Sequence, residues 1–158
     1  MNQSTEAVTS IGILGAGSWG TALAILLARN GLEVRLWGLE REIRRLAEDR
    51  ENRQFLPGIP FPEKLTPDAN LARAVECDEI LVVVPSQAVH EVLLKIAAIR
   101  PQQSLCWATT GLDPKTRHPL STDAETIFPG ADLAVISGPT LAVEVAEGLP
   151  TAVTAAST

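Results

Sequence analysis

Three glycines, Gly15, Gly17 and Gly20, stand in the spacing G-x-G-x-x-G within "GAGSWG". That spacing suits the holding of a diphosphate. The first glycine permits a tight turn, the second lets phosphate oxygens approach the backbone, and the third lets the following helix lie close to the preceding strand. The unpaired N–H groups and positive dipole end of such a helix attract the anion. The spacing alone is weak, because glycines often serve only as turns. Its setting gives it weight: the apolar run "IGILG" precedes it, "TALAILLA" follows, and "EVRLW" (Glu33–Trp37) comes next at the distance of a βαβ unit. An acid at the end of that second strand would grip ribose hydroxyls. The end reads Trp37-Gly38-Leu39-Glu40. Glu40 suits that task, and suits equally the first turn of a following helix, where an acid complements the dipole.

The elements that must carry this turn alternate along the chain. Runs that read as buried strands are 11–15, 33–37, 79–84, 104–109, 133–137 and 151–156; several are continuously apolar, as strands covered on both faces must be. Between them lie helical patterns over 18–30, 40–52, 86–99, 120–128 and 140–148, and Asn30-Gly31 supplies a helix stop. Strand, helix, strand in series implies right-handed crossovers and a doubly wound, mostly parallel α/β sheet of Rossmann type. A polar tail over 1–10 precedes this domain, which spans 11–158. "FLPGIPFPEKLTPD" (Phe55–Asp68) breaks the alternation with four prolines and a glycine. It reads as an irregular excursion, too apolar for a free linker, that packs against the sheet edge or the cleft.

With 158 residues the chain has room for one domain with a real core. Its net charge of −6 argues against a nucleic-acid surface, which needs a basic stripe. Cys77 and Cys106 match no metal or redox spacing and read as reduced, buried thiols; no metal site is expected. No run is long and apolar enough to span a bilayer, and "MNQSTEAVTS" has no signal-peptide pattern, so the expectation is a cytoplasmic protein without membrane insertion.

Four blocks go beyond a generic nucleotide fold: "GAGSWGTALA", "VVVPSQAVHEVL", "WATTGLD" and "VISGPTLAVEVAEGLPTAV". In this order and spacing, with "FLPGIPFP" between, the chain resembles the bacterial NAD(P)-dependent glycerol-3-phosphate dehydrogenases. The resemblance implies NAD or NADP as cofactor and the interconversion of sn-glycerol 3-phosphate and dihydroxyacetone phosphate, a step of phospholipid synthesis. It implies that Ser18 and Trp19 contact the cofactor, with the indole beside the diphosphate. It further sets Pro85 on the nicotinamide side and Ala142 against the cofactor, with Gly138 and Thr140 meeting substrate. Read from the residues alone, Thr140 also sits where a helix N-cap belongs.

The departures from that family bear on catalysis. Thr110 stands where the family has a lysine whose ammonium lies between substrate and cofactor; losing such a contact costs on the order of 10²–10³ in rate in comparable roles. Leu39 replaces a cation suited to the extra phosphate of NADPH. "KTRHPLS" (Lys115–Ser121) differs from the family's pattern, and His90 and His118 read as solvated, without an orienting carboxylate nearby in sequence. In the family a helical domain follows, with the lysine that accepts the proton, and these 158 residues hold no counterpart. The expectation is that catalysis is absent from this chain alone, and that an apolar docking face over "TLAVEVAEGL" and the last strand invites self-association. Three readings stay open: the cofactor domain of such an enzyme, a separate nucleotide-binding or redox-sensing module, and a decayed fragment.

Overall fold

The computed structural model describes residues 7–157; residues 1–6 of the polar tail and Thr158 lie outside them. Thirteen elements follow in order: β1 (Ser10–Leu14), α1 (Ser18–Arg29), β2 (Glu33–Trp37), α2 (Glu40–Asp49), β3 (Leu65–Pro67), α3 (Leu71–Val75), β4 (Glu79–Val82), α4 (Ser86–Ile99), β5 (Leu105–Trp107), α5 (Leu120–Ile127), β6 (Leu133–Ser137), α6 (Ala142–Glu147) and β7 (Thr154–Ser157). The sheet runs β3-β2-β1-β4-β5-β6-β7. Every neighbouring pair is parallel except β6 and β7. This is the doubly wound α/β architecture expected.

Alternate strand residues feed two cores. Ile13, Val34, Leu36 and Leu81 face α1, α2 and α6, while Leu14, Ile80, Val82 and Leu105 face α3, α4 and α5. The strands read as continuous apolar runs because helices cover both faces. Ile25 of α1 is fully enclosed, which contributes about 1.5–3 kcal/mol by burial. α1 stops where Gly31 takes φ +99° and donates its N–H to Ala28 O, a turn that a side chain would strain.

Three sequence expectations are corrected. The proline-rich segment is not irregular throughout, since Leu65–Pro67 forms edge strand β3, paired to β2. Proline fits there because an edge strand needs only one side of its ladder. The segment does pack inward: Leu56, Ile59 and Phe61 are buried in the α1 core. Helix α3 went unforeseen, capped by Asn70, whose side chain accepts from Ala72 N. Thr140 is not an N-cap, because the chain is extended at Leu141 and α6 begins at Ala142.

Candidate functional site

In the strand order, β1 and β4 are neighbours whose following segments leave for opposite faces, and a crevice opens beyond their carboxyl ends. There lies a cleft of about 680 Å³. Its floor is the turn from Gly15 to Gly20; its walls are the β4–α4 segment from Val83 to Ser86, the β5 end from Ala108 to Thr110, and Trp37 to Leu39. Backbone bonds fix these segments to one another: Gly15 N donates to Trp37 O at 2.9 Å and Val83 N to Leu14 O at 2.8 Å. Thr109 Oγ1 donates to Val84 O at 2.7 Å.

The three glycines have different reasons to be glycine. A Cβ at Gly20 would stand 1.9 Å from Gly15 O, and Gly15 itself holds φ +130° against the Val83 backbone. Both are demanded by packing. A Cβ at Gly17 would meet nothing within 4 Å. The fold leaves room for a side chain there, so packing does not account for this glycine. The first-turn N–H groups of α1 have no intrahelical acceptors, and no acid stands in that turn. An anion therefore fits this end of the helix by space and by dipole.

Of the residues singled out in the sequence, Gly15, Gly17, Ser18, Trp19, Gly20, Pro85 and Thr110 all line this one cleft. Gly138, Thr140 and Ala142 do not. Gly138 has a packing reason of its own, since a Cβ there would stand 2.6 Å from Ala152 O. Thr140 Oγ1 is buried without a hydrogen-bond partner, and Ala142 opens α6 against the α1 core.

Glu40 is not among the residues lining the cleft; it stands in the first turn of α2 and pairs with Arg44 at 3.1 Å. Glu42 lines the cleft instead, with Leu39 and Phe55. Distance along the chain does not separate positions 40 and 42; the direction in which α2 leaves β2 does. Lys95 and Glu91 line the opposite wall, paired at 2.7 Å. The Lys95 hydrogen bond and charge hold the Glu91 carboxyl below its ordinary range.

His90 is half-exposed, as a solvated residue would be, and its nearby carboxylate comes from far along the chain. Asp123 on α5 brings Oδ2 to 3.4 Å from His90 Nδ1, a partner 33 positions away that packing of α4 on α5 supplies. Both cysteines are free. Burial pushes the Cys106 thiol up to about 11, with help from the Glu79 charge, and raises Cys77 as well. Neither is a ready nucleophile. Among the described residues no helix is long and apolar enough to cross a membrane.

Comparison with known proteins bears on what this cleft takes. A family model described as the NAD-dependent glycerol-3-phosphate dehydrogenase N-terminus matches residues 10–158. A glycerol-3-phosphate dehydrogenase [NAD(P)+] of Escherichia coli O1:K1 / APEC is 51% identical over the whole chain, which covers 47% of it. Its counterpart from Pseudoalteromonas translucida (strain TAC 125) is 48% identical, again over the whole chain and 48% of its own length. The crystal structure of glycerol-3-phosphate dehydrogenase from Coxiella burnetii superposes with a TM-score of 0.90 at 44% identity, covering 95% of this chain and 47% of that one. The chain thus spans about half the length of the curated relatives it matches.

Proposed function

The chain belongs to the glycerol-3-phosphate dehydrogenase N-terminal family, and from that premise we propose that its cleft binds a nicotinamide dinucleotide, NAD or NADP, for the interconversion of sn-glycerol 3-phosphate and dihydroxyacetone phosphate. The observation that carries this reading is the open space at Gly17. It supports a diphosphate held against the bare backbone by the N–H groups of the α1 first turn, with Ser18 beside it and Trp19 as an aromatic wall. Pro85, at the β4 end, borders the nicotinamide side. Leu39, two-thirds exposed, offers no cation to an added phosphate, and Glu42 would repel one. This favours NAD.

When bound, the dinucleotide supplies the hydride acceptor or donor. The chain's own residues would hold and orient it and keep water from one face. Hydride removal from an alcohol carbon also needs a base for the hydroxyl proton. Lys64 is paired with Glu33 and Lys95 with Glu91. Thr110, in the cleft wall, carries no charge. We therefore expect the proton acceptor to lie outside the residues that line this cleft, with Gly138 and Thr140 facing the substrate and Ala142 the cofactor. Within a cell the reading is a cytoplasmic role in phospholipid synthesis. Thr110 also favours a second reading, a nucleotide-binding module without catalysis.

The test is a titration with NADH and, separately, NADPH, followed by tryptophan fluorescence, since Trp19 and Trp37 both line the cleft. Saturable quenching that Gly17→Val abolishes at unchanged melting temperature supports the proposal. A folded chain that binds neither nucleotide overturns it. Adding the helical half of a relative separates the two readings: regained turnover favours the enzyme, and binding without turnover the module. The exposed Leu141, Val143, Leu149 and Val153 make a face suited to self-association; a sedimentation profile that stays monomeric at high concentration would exclude it.

A further inference from the structure

A buried amide stands three residues before the proline-rich segment. Asn52 is 2% exposed, and its Nδ2 donates to Ala16 O at 3.2 Å and to Thr21 Oγ1 at 2.9 Å. Its Oδ1 accepts from Phe55 N at 3.3 Å. Both N–H groups and the carbonyl are thus in use. Thr21, fully buried, also directs its hydroxyl to Ala16 O, at 3.4 Å. Two side chains from different elements converge on one carbonyl, and that carbonyl belongs to the residue between the first two glycines of the turn.

We propose that Asn52 is a positioning residue for the cofactor site: by holding the Ala16 carbonyl inward it aims the Gly17 N–H at the diphosphate. The inference rests on the dinucleotide reading above. A trans peptide is planar, with C=O and N–H on opposite sides. Fixing the Ala16 oxygen toward the core therefore turns the Gly17 N–H toward the cleft that both residues line. That N–H has no acceptor among the described residues. Released from Asn52, the 16–17 peptide keeps only the longer Thr21 contact and can turn an oxygen toward the phosphate.

Asn52 is not the segment's only fastening. Arg50 already clamps it, donating to Pro62 O at 2.7 Å and Leu65 O at 2.8 Å, while its own carbonyl accepts from Phe61 N at 2.7 Å. Leu56, Ile59 and Phe61 bury its apolar side. A leucine at 52 would fill similar volume but leave Ala16 O with the weaker Thr21 contact alone.

The experiment compares the whole chain with Asn52→Leu, using ADP-ribose and adenosine as probes and the amide spectrum of Gly17 as a local readout. In the unsubstituted chain, ADP-ribose shifts the Gly17 amide resonance and adenosine, without a diphosphate, leaves it in place. In Asn52→Leu the affinity for ADP-ribose falls about tenfold while that for adenosine stays within twofold. An equal loss for both probes, or no loss in a folded variant, overturns the proposal. If the variant fails to fold, the unsubstituted chain still decides: a Gly17 amide that does not move at saturating ADP-ribose overturns it. No ADP-ribose binding by the unsubstituted chain overturns the dinucleotide reading itself, and this inference with it.

Discussion

In the middle of the sheet Ile13, Leu14, Leu36, Ile80 and Val82 are wholly enclosed, whereas β7 at the edge is exposed along all four of its residues. The same contrast holds for the segments that follow the strands. The β1–α1 turn is gripped by Trp37 O, by Asn52 and by Thr21. The stretch from Gly138 to Leu141 leads into a six-residue helix, with Leu141 at its start and Val143 within it both exposed. The difference teaches where the binding geometry is set in advance. The β1–α1 turn is organised by the chain's own packing, while the stretch from Gly138 into α6 presents exposed apolar surface.

Substitutions can break or sharpen this contrast. The largest effect is expected at Gly20→Val, whose Cβ collides with Gly15 O. The turn cannot close over it, and circular dichroism should show a chain that no longer folds cooperatively. Gly17→Val, three residues away, should leave the melting curve in place while NADH binding is lost. Next, Leu36→Ala in the enclosed middle should cost about 2–5 kcal/mol in a denaturant melt, against less than about 0.5 kcal/mol for Leu141→Ala at the open side. Equal costs would mean that the two sides are packed alike.

A smaller, pH-dependent effect belongs to Asp78, which ties the start of β1 to the start of β4. The Thr9 N–H first, then the Thr9 hydroxyl and the Ser10 N–H, hold its carboxyl down at about 2 from an ordinary 3.8. A lowered carboxyl stabilises the fold fully above its ordinary value, and the gain fades as pH falls toward the folded value. The stability difference between the chain and Asp78→Asn should therefore be level above about pH 5 and shrink progressively toward pH 2. The smallest perturbation concerns Cys106. With its thiol near 11 instead of 9.0, its thiolate fraction at pH 8 falls about 100-fold, and a disulfide reagent should react correspondingly slowly until denaturant is added.

Much of this was legible in the residues. The strands 33–37 and 133–137 and the helix 86–99 have the bounds that apolar runs and a preceding proline suggest. The glycine turn was readable because its neighbours in sequence are its neighbours in space. What was not readable depends on partners far along the chain. Strand β3 is a strand only because Val34, Arg35 and Leu36 lie beside it; three residues ending in proline carry no period. Asn52 looks like a helix end until Ala16, 36 positions earlier, is found under its amide. Glu42 rather than Glu40 reaches the cleft because of a helix direction, and His90 meets Asp123 because two helices pack. Local pattern set most of the elements, and long-range contact set β3 and chose the side chains that matter.

Helix α1 joins the two regions compared above. Its first turn bounds the cleft, and it packs against α6, with Arg29 at its last turn donating to Ala146 O. Twelve residues of helix span about 18 Å. One continuous helix therefore ties the enclosed turn at the sheet's middle to the open edge around α6.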